Sequence, residues 1–326
     1  MPHNTRREPL RSSLKSKLLG KRKRVTYIVG MRSPQGVVLS ADSQETIAGE
    51  ISYREKIATC PTQDLVIGGA GRGVLIEGFI QHVFESIDSK ALDSEKSAMA
   101  FIRAALRSFY LSDVKVLAGR YKEISFLLGG KLQSGEIGLW QTKGNRVFSV
   151  PEYEAIGYES PFVRHLLRRL YRAGLSLSQL ELLSIYLVKA AKETADSVGG
   201  PTSVAVVSSS GVTLEDKRAI DELEERVSRF DEALSLLLLA CPDTSMSRDE
   251  FTTLLRNFWD YVLGLREHYH GKVVGREILR TFDPNWKRNP VSQLPPDTII
   301  EQRQEGDKIV QSIKFTLSEP ELPPED

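Results

Sequence analysis

From residue 26 onward the apolar positions fall into short runs of strand length, broken by glycine, proline and polar clusters. The runs TYIVGMRS (26–33) and GVVLSAD (36–42) are apolar and β-branched, and they join through Pro34, Gln35 and Gly36, a hairpin signal. EISYREKIATC (50–60) reads as a third strand that ends before Pro61. DLVIGGAG (64–71) is a fourth, apolar enough to be buried on both faces. The period then changes. Gly71 and Gly73 open a helix in which Leu75, Phe79, Val83 and Ile87 recur at i, i+4 spacing. A second helix is predicted over 94–116, with Ala98, Ile102, Ala105 and Phe109 on one face.

Strands return at EISFLLGG, GEIGLWQT and NRVFSVP, connected by turn chemistry at Gln133-Ser134-Gly135 and Lys143-Gly144-Asn145, and YEAIG leads on from them. Helices follow at 160–172 and 176–195, and PTSVAVVSSSGVTL closes with a hairpin near 209–211. Strands, two helices, strands, two helices, strands is the order of an α+β fold. It predicts a four-layer αββα sandwich, in which two packed sheets each carry a helical pair, over residues 26–214. It does not fit the strict alternation of a doubly wound sheet.

Beyond 215 the chain becomes charged and amphipathic. A helix is expected over 215–239, and the capping box at Ser247–Glu250 opens another to about His268. A hairpin is expected to turn at Glu305-Gly306-Asp307, before an acidic, proline-rich, disordered tail. The expected division is therefore a basic arm or pro-segment (1–25), the sandwich domain (26–214) and an appended, mainly helical region (215–326).

Composition changes this picture little. The chain has 326 residues, 40% hydrophobic and 27% charged, with net charge +1. That balance gives no signature of nucleic acid or an anionic membrane as partner. The longest apolar run, LSLLLLAC (234–241), falls far short of the roughly 18 residues of a membrane span. Two cysteines, Cys60 and Cys241, make neither a disulfide framework nor a metal motif, and they suit a reducing compartment. A cytoplasmic location is the expectation. Charge is concentrated only in residues 1–25, which hold nine Lys/Arg and one Glu and no apolar core for a signal peptide.

That basic run ends on Val25, and Thr26 stands at the join. A threonine hydroxyl is a poor nucleophile at neutral pH and needs a base. The smallest one is its own α-amine, which titrates near 7.7–8.0. Thr26 gains such an amine only if the Val25–Thr26 bond is cut or if synthesis begins just before it.

The stretch TYIVGMRSPQGVVLSADSQET resembles the opening of proteasome β-type subunits and of the bacterial two-component proteasome-like peptidase, which are N-terminal nucleophile hydrolases. Asp42 follows Thr26 by sixteen residues, Gly36 falls on the family's hairpin glycine, and Thr46 on the last threonine of its motif. The resemblance implies Thr26 as nucleophile. It implies Lys56, in REKIATC, as the lysine that disfavours the protonated amine, and Asp42 as the carboxylate that holds that lysine. Asp42 and Lys56 read equally as a buried pair that supports the sheet. In GGAGRG, Gly71 would supply an oxyanion-hole amide, although such a turn also serves tight strand–helix packing.

Two landmarks depart from the family pattern. The family's Gly-Ser-Gly is replaced by Tyr158 and Glu159. Its Asp-x-x-Ser-Gly becomes DSVGG, with Asp196 kept and Gly199, or with another gap Val198, where the serine belongs. Ser160 and Ser197 lie nearby in sequence as replacements. Val25 stands where catalytic members carry glycine, which favours a start at position 25 over autocleavage. No Walker loop, dinucleotide glycine motif or zinc spacing occurs, and the pair His268 and His270 does not share a helix face, so no cofactor or metal is expected.

The resemblance thus implies a threonine peptidase acting on a peptide or protein substrate, built as a ring-type homo-oligomer, with no membrane and no nucleic acid as partner. The alternatives are a non-catalytic scaffold subunit of the same fold and an N-terminal nucleophile amidase for a small molecule.

Overall fold

A computed structural model of the chain describes residues 26–47, 50–88, 91–114, 124–158, 160–280, 298–305 and 308–315. The basic arm, Glu159 and the acidic tail lie outside the described residues, and so does the turn at 306–307.

The two apolar runs at 26–42 form the antiparallel hairpin β1 (Tyr27–Ser33) and β2 (Gly36–Ala41). Strand β2 is buried along its whole length, as its unbroken apolar sequence requires. β10 (Tyr153–Gly157) pairs on the far side of β1. β11 (Ser203–Ser208) and β12 (Gly211–Leu214) complete a five-stranded sheet in the order β10-β1-β2-β11-β12. The second sheet, β5-β6-β7-β8-β9, is an antiparallel meander of β5 (Ile57–Thr59), β6 (Leu65–Ala70), β7 (Ser125–Lys131), β8 (Ile137–Lys143) and β9 (Arg146–Ser149).

The sheets face each other through Ile28, Val37, Leu39, Val66, Leu127 and Leu139, all fully buried. The outer face of the second sheet is covered by α1 (Gly73–Ser86) and α2 (Glu95–Phe109). There Phe79 stacks on Phe126, with ring centroids 4.1 Å apart, and packs with Ile102, Leu106 and Trp140. Truncating Phe79 to alanine would cost about 3–5 kcal/mol. The first sheet carries α3 (Pro161–Leu170) and α4 (Leu177–Thr194), and α4 lies along β1 and β2. Ser184 of α4 and Ser40 of β2 share a buried hydrogen bond of 2.5 Å. The four-layer sandwich is therefore the fold.

Three local expectations are corrected. The stretch 50–60 is two strands, not one. β4 (Glu50–Tyr53) is exposed and pairs with β3 (Gln44–Ile47), a strand not foreseen, while β5 joins the second sheet. The break turns Lys56 inward. Its carbonyl accepts Gly69 N–H at 3.1 Å, and Arg54 N–H reaches back to Ser43 O at 2.8 Å. The α-helical part of 94–116 stops at Phe109 and passes into a π-helical turn (Tyr110–Val114), in which Ser112 Oγ donates to Ser108 O. The helix expected to end near His268 runs on as α6 (Arg248–Arg280).

Before α6, α5 (Lys217–Ala240) packs on α4 through Ile220, Leu223 and Val227, with ion pairs Lys189–Asp231 and Lys192–Glu224. Residues 1–268 and 269–326 divide into two compact units. The second contains an antiparallel hairpin, β13 (Thr298–Glu305) with β14 (Lys308–Phe315).

Candidate active site

Asp42 follows β2 and is fully buried, and it uses both of its oxygens. Oδ1 accepts Tyr27 N–H at 2.9 Å and Lys56 Nζ at 2.8 Å. Oδ2 accepts Gln44 N–H and Gly199 N–H, each at 3.2 Å. A carboxylate so completely bonded is stable without water. It ties together the start of β1, the inward turn before β5 and the loop before β11. Tyr27 returns the contact, its carbonyl accepting Asp42 N–H at 3.2 Å.

Lys56 is 7% exposed and also donates to Gln44 O at 2.6 Å. Among the described residues this leaves one of its three N–H groups for the cleft that it lines. Burial pushes its pKa below the ordinary lysine value, while the charge of Asp42 and its hydrogen bond pull in the other direction.

Thr26 is 8% exposed and lines the same cleft, a space of about 50 Å³. Its carbonyl is held from behind by Tyr158 N–H at 2.6 Å. Gly157 lies against that carbonyl with φ +91°, and a Cβ there would stand 1.8 Å from Thr26 O. Gly71 lines the cleft from the β6–α1 turn with φ +139°, a backbone conformation that side chains disfavour. It immediately precedes the N-terminus of α1, where backbone N–H groups lack helical partners.

The structure thus brings Thr26, Asp42, Lys56 and Gly71 to one place and leaves Asp196 aside. Asp196 is exposed, and its backbone carbonyl, not its carboxylate, serves the site by accepting Gln44 Nε2 at 3.0 Å. Gly199, rather than Val198, touches Asp42. A Cβ on Gly199 would stand 2.2 Å from Gln44 Oε1, so Gln44 takes the space that a serine side chain would need. Ser160 caps α3, and neither it nor Ser197 lines the Thr26 cleft. Tyr158 does not line it either; its hydroxyl donates to Thr194 O at 2.9 Å.

Sequence reasoning missed Gln44 and the charged wall of the cleft. Gln44 had one readable signal, its place two residues after Asp42. The wall is Arg54 with Glu45, whose charged atoms are 3.8 Å apart, and Arg54 with Glu77. These three come from β3, the turn after β4, and α1, so no local pattern joins them.

Comparison with known proteins adds the family. Residues 23–207, more than half of the chain, match the model of the proteasome subunit family. Among solved structures, the fold is similar to Anbu, an ancestral β-subunit, from Yersinia bercovieri, with 17% identity and TM-score 0.56 over 68% of this chain and 100% of that one. It is similar to Anbu from the helical assembly of the Anbu complex of Pseudomonas aeruginosa, with 20% identity and TM-score 0.56 over the same shares. A Gly-1 mutant of Anbu from Hyphomicrobium sp. strain MC1 gives 17% identity and TM-score 0.55 over 67% of this chain and 98% of that one. The four-layer sandwich and the match across 23–207 agree: this chain belongs to the proteasome subunit family.

Proposed function

We propose that this chain is a threonine-nucleophile peptidase of proteasome type, active once the Thr26 amine is free. The observation that carries the reading is the shared Asp42 oxygen. One atom holds both the backbone next to the nucleophile and the ammonium of Lys56, and Lys56 lines the cleft of Thr26 and Gly71.

In this mechanism Thr26 Oγ attacks the carbonyl of a peptide bond, and the α-amine of the same residue takes its proton. The Lys56 charge disfavours the protonated amine, keeping it a base near neutral pH. Asp42 fixes Lys56 as a positioning residue. The N–H of Gly71 stabilises the oxyanion. The amine returns the proton to the leaving amine, and water hydrolyses the resulting ester. The mechanism needs a chain that begins at Thr26.

The cleft also supports a substrate preference. Glu45, Glu55 and Glu77 line it against Arg54 alone, apart from Lys56, which Asp42 neutralises. That excess of negative charge favours a basic side chain on the acyl side of the cleaved bond. The relatives include one solved as a helical assembly, which supports self-association of this chain, with a ring as the form that the family implies.

The second reading, a non-catalytic subunit, is favoured by Gln44 occupying the place of the family's serine. The test is native protein with its N-terminus determined by Edman sequencing, a fluorogenic peptide panel and a β-lactone trap read by intact mass. Turnover, with the adduct on an N-terminal Thr26, supports the peptidase. Labelling without peptide turnover supports a small-molecule amidase. Neither signal on chains that begin at Thr26 supports the scaffold.

A further inference from the structure

The helices over the first sheet form one layer, and the two edges of that layer differ in charge. α4 lies in the middle, along β1 and β2, and touches α3 on one side and α5 on the other. α3 lies by the edge strand β10, where its Leu167 meets Tyr27 and Tyr153, and α5 lies toward β11. Helices in contact pack with axes about 10 Å apart, which sets α3 and α5 about 20 Å from each other. That separation exceeds the Debye length of about 8 Å, so the two edges do not neutralise one another within a chain.

The α3 edge is basic. Val163 and Leu167 face inward, while Phe162, His165 and Arg169 share the outer face at i, i+3, i+7 spacing, with Arg168 beside them. The helix contains no carboxylate. Arg168 and Arg169 are exposed and make no ion pair among the described residues. Phe162 stands among these cations and is 52% exposed. An open aromatic side chain surrounded by arginine is the composition of an interface core.

The α5 edge is acidic. A groove of about 640 Å³ runs between α4 and α5, lined by Glu193, Asp231 and Glu232 against a single cation, Lys189. Lys189 is already engaged by Glu193 at 2.6 Å and by Asp231 at 3.1 Å, so Glu232 stands without a countercharge. Glu232, Ser235, Leu236 and Leu239 recur at i, i+3, i+4, i+7 and form one stripe of α5. Both leucines of the stripe are more than half exposed. An acid beside two open apolar side chains complements an open phenylalanine beside two arginines.

We propose that the outer face of α3 docks into the α4–α5 groove of a second copy of this chain. Phe162 meets the Leu236–Leu239 stripe, and Arg168 and Arg169 meet Glu193 and Glu232. The two faces differ and lie on opposite edges of one layer, so the contact is head-to-tail: each copy offers α3 to one neighbour and its groove to another. A contact of that kind propagates, closing into a ring or running on as a helix. This interface rests on the self-association proposed above and names its two faces; it does not depend on Thr26 being catalytic.

The test is sedimentation velocity of the full chain over a range of concentrations, at low and at high salt. The expected result is reversible association that high salt weakens. Arg169→Glu and Glu232→Arg should each weaken it about tenfold or more, because each sets like charges against one another. Phe162→Ala should weaken it as well. The double variant R169E/E232R restores opposite charges across the contact and should recover association. An equimolar mixture of the two single variants should also assemble, since in alternation every α3 finds a groove of opposite charge. A folding defect in the single variants would not be undone in this way, and all three residues are exposed. A chain that stays monomeric at every concentration overturns both this interface and the self-association on which it rests. An oligomer that all three single variants leave unchanged overturns this interface alone. Weakening by the single variants without recovery in the double variant or the mixture overturns the pairing of the two faces.

Discussion

At the residue scale the site rests on Asp42 and Lys56, and their energetics can be tested apart from catalysis. Removing one partner of a buried ion pair leaves an uncompensated charge, so Asp42→Ala should lose about 3–5 kcal/mol in urea unfolding. The pH profile follows from two groups. Below its pKa the α-amine is protonated and cannot accept the Thr26 proton, so kcat/KM should rise with pH through about 8 or lower. Lys56, lowered by burial, loses its charge at a lower pH than an ordinary lysine. The rate should therefore fall again on the alkaline side before 10.5, the ordinary lysine value. Lys56→Arg, which stays charged, should move that alkaline limb upward in whatever activity remains; a profile flat from pH 8 to 11 would contradict the assignment. Gly199→Ser, which restores the family's residue, should cost only about 1 kcal/mol, because it displaces the tip of Gln44 and its bond to Asp196 O. Urea unfolding of that variant measures this directly.

Elements set the cleft. The loss of strand geometry at Arg54–Lys56 lets one short segment face two ways: Arg54 toward Glu45 and Glu77, Lys56 toward Asp42. A continuous strand over 50–60 would place Arg54 and Lys56 on the same face. The carboxylates of the wall give a specificity prediction. Peptides with arginine or lysine on the acyl side should be cleaved faster than those with leucine or glutamate, and Glu77→Gln should narrow the ratio severalfold, more at low salt. A leucine preference that Glu77→Gln does not alter would remove the electrostatic account while leaving the nucleophile untouched. Gly157 is the other element-level constraint. Its positive φ ends β10 against the Thr26 carbonyl, and Gly157→Ala should lower both melting temperature and turnover.

For the whole molecule the question is assembly. Helix α5 presents Leu236, Leu238 and Leu239, each more than half exposed, and Trp259 of α6 is 59% exposed. Exposed apolar surface of this kind marks contact sites. The full chain should sediment as a homo-oligomer, and Leu238→Asp with Leu239→Asp should shift it toward smaller species without lowering helical content by circular dichroism. No helix among the described residues is long and apolar enough to cross a membrane. The proposed division at 214 remains a statement about sequence character, since α5 covers α4 with Ile220, Leu223 and Val227.

The sequence by itself determined the layers and the neighbourhood of Thr26. Periods of 2 and 3.6 report which positions face water, a property that each segment carries locally, and so the strands, helices and sandwich order were legible. The spacing from Thr26 to Asp42 spans one hairpin, whose register follows from its own turn, and Lys56 sits in the next segment. What only the tertiary structure decided are pairings across long separations: Gly199 on Asp42 157 residues away, Gln44 in the serine's space, Glu77 on Arg54, and α3 against Tyr27. Those contacts depend on how two sheets and their helices register against one another, and no period along the chain encodes that.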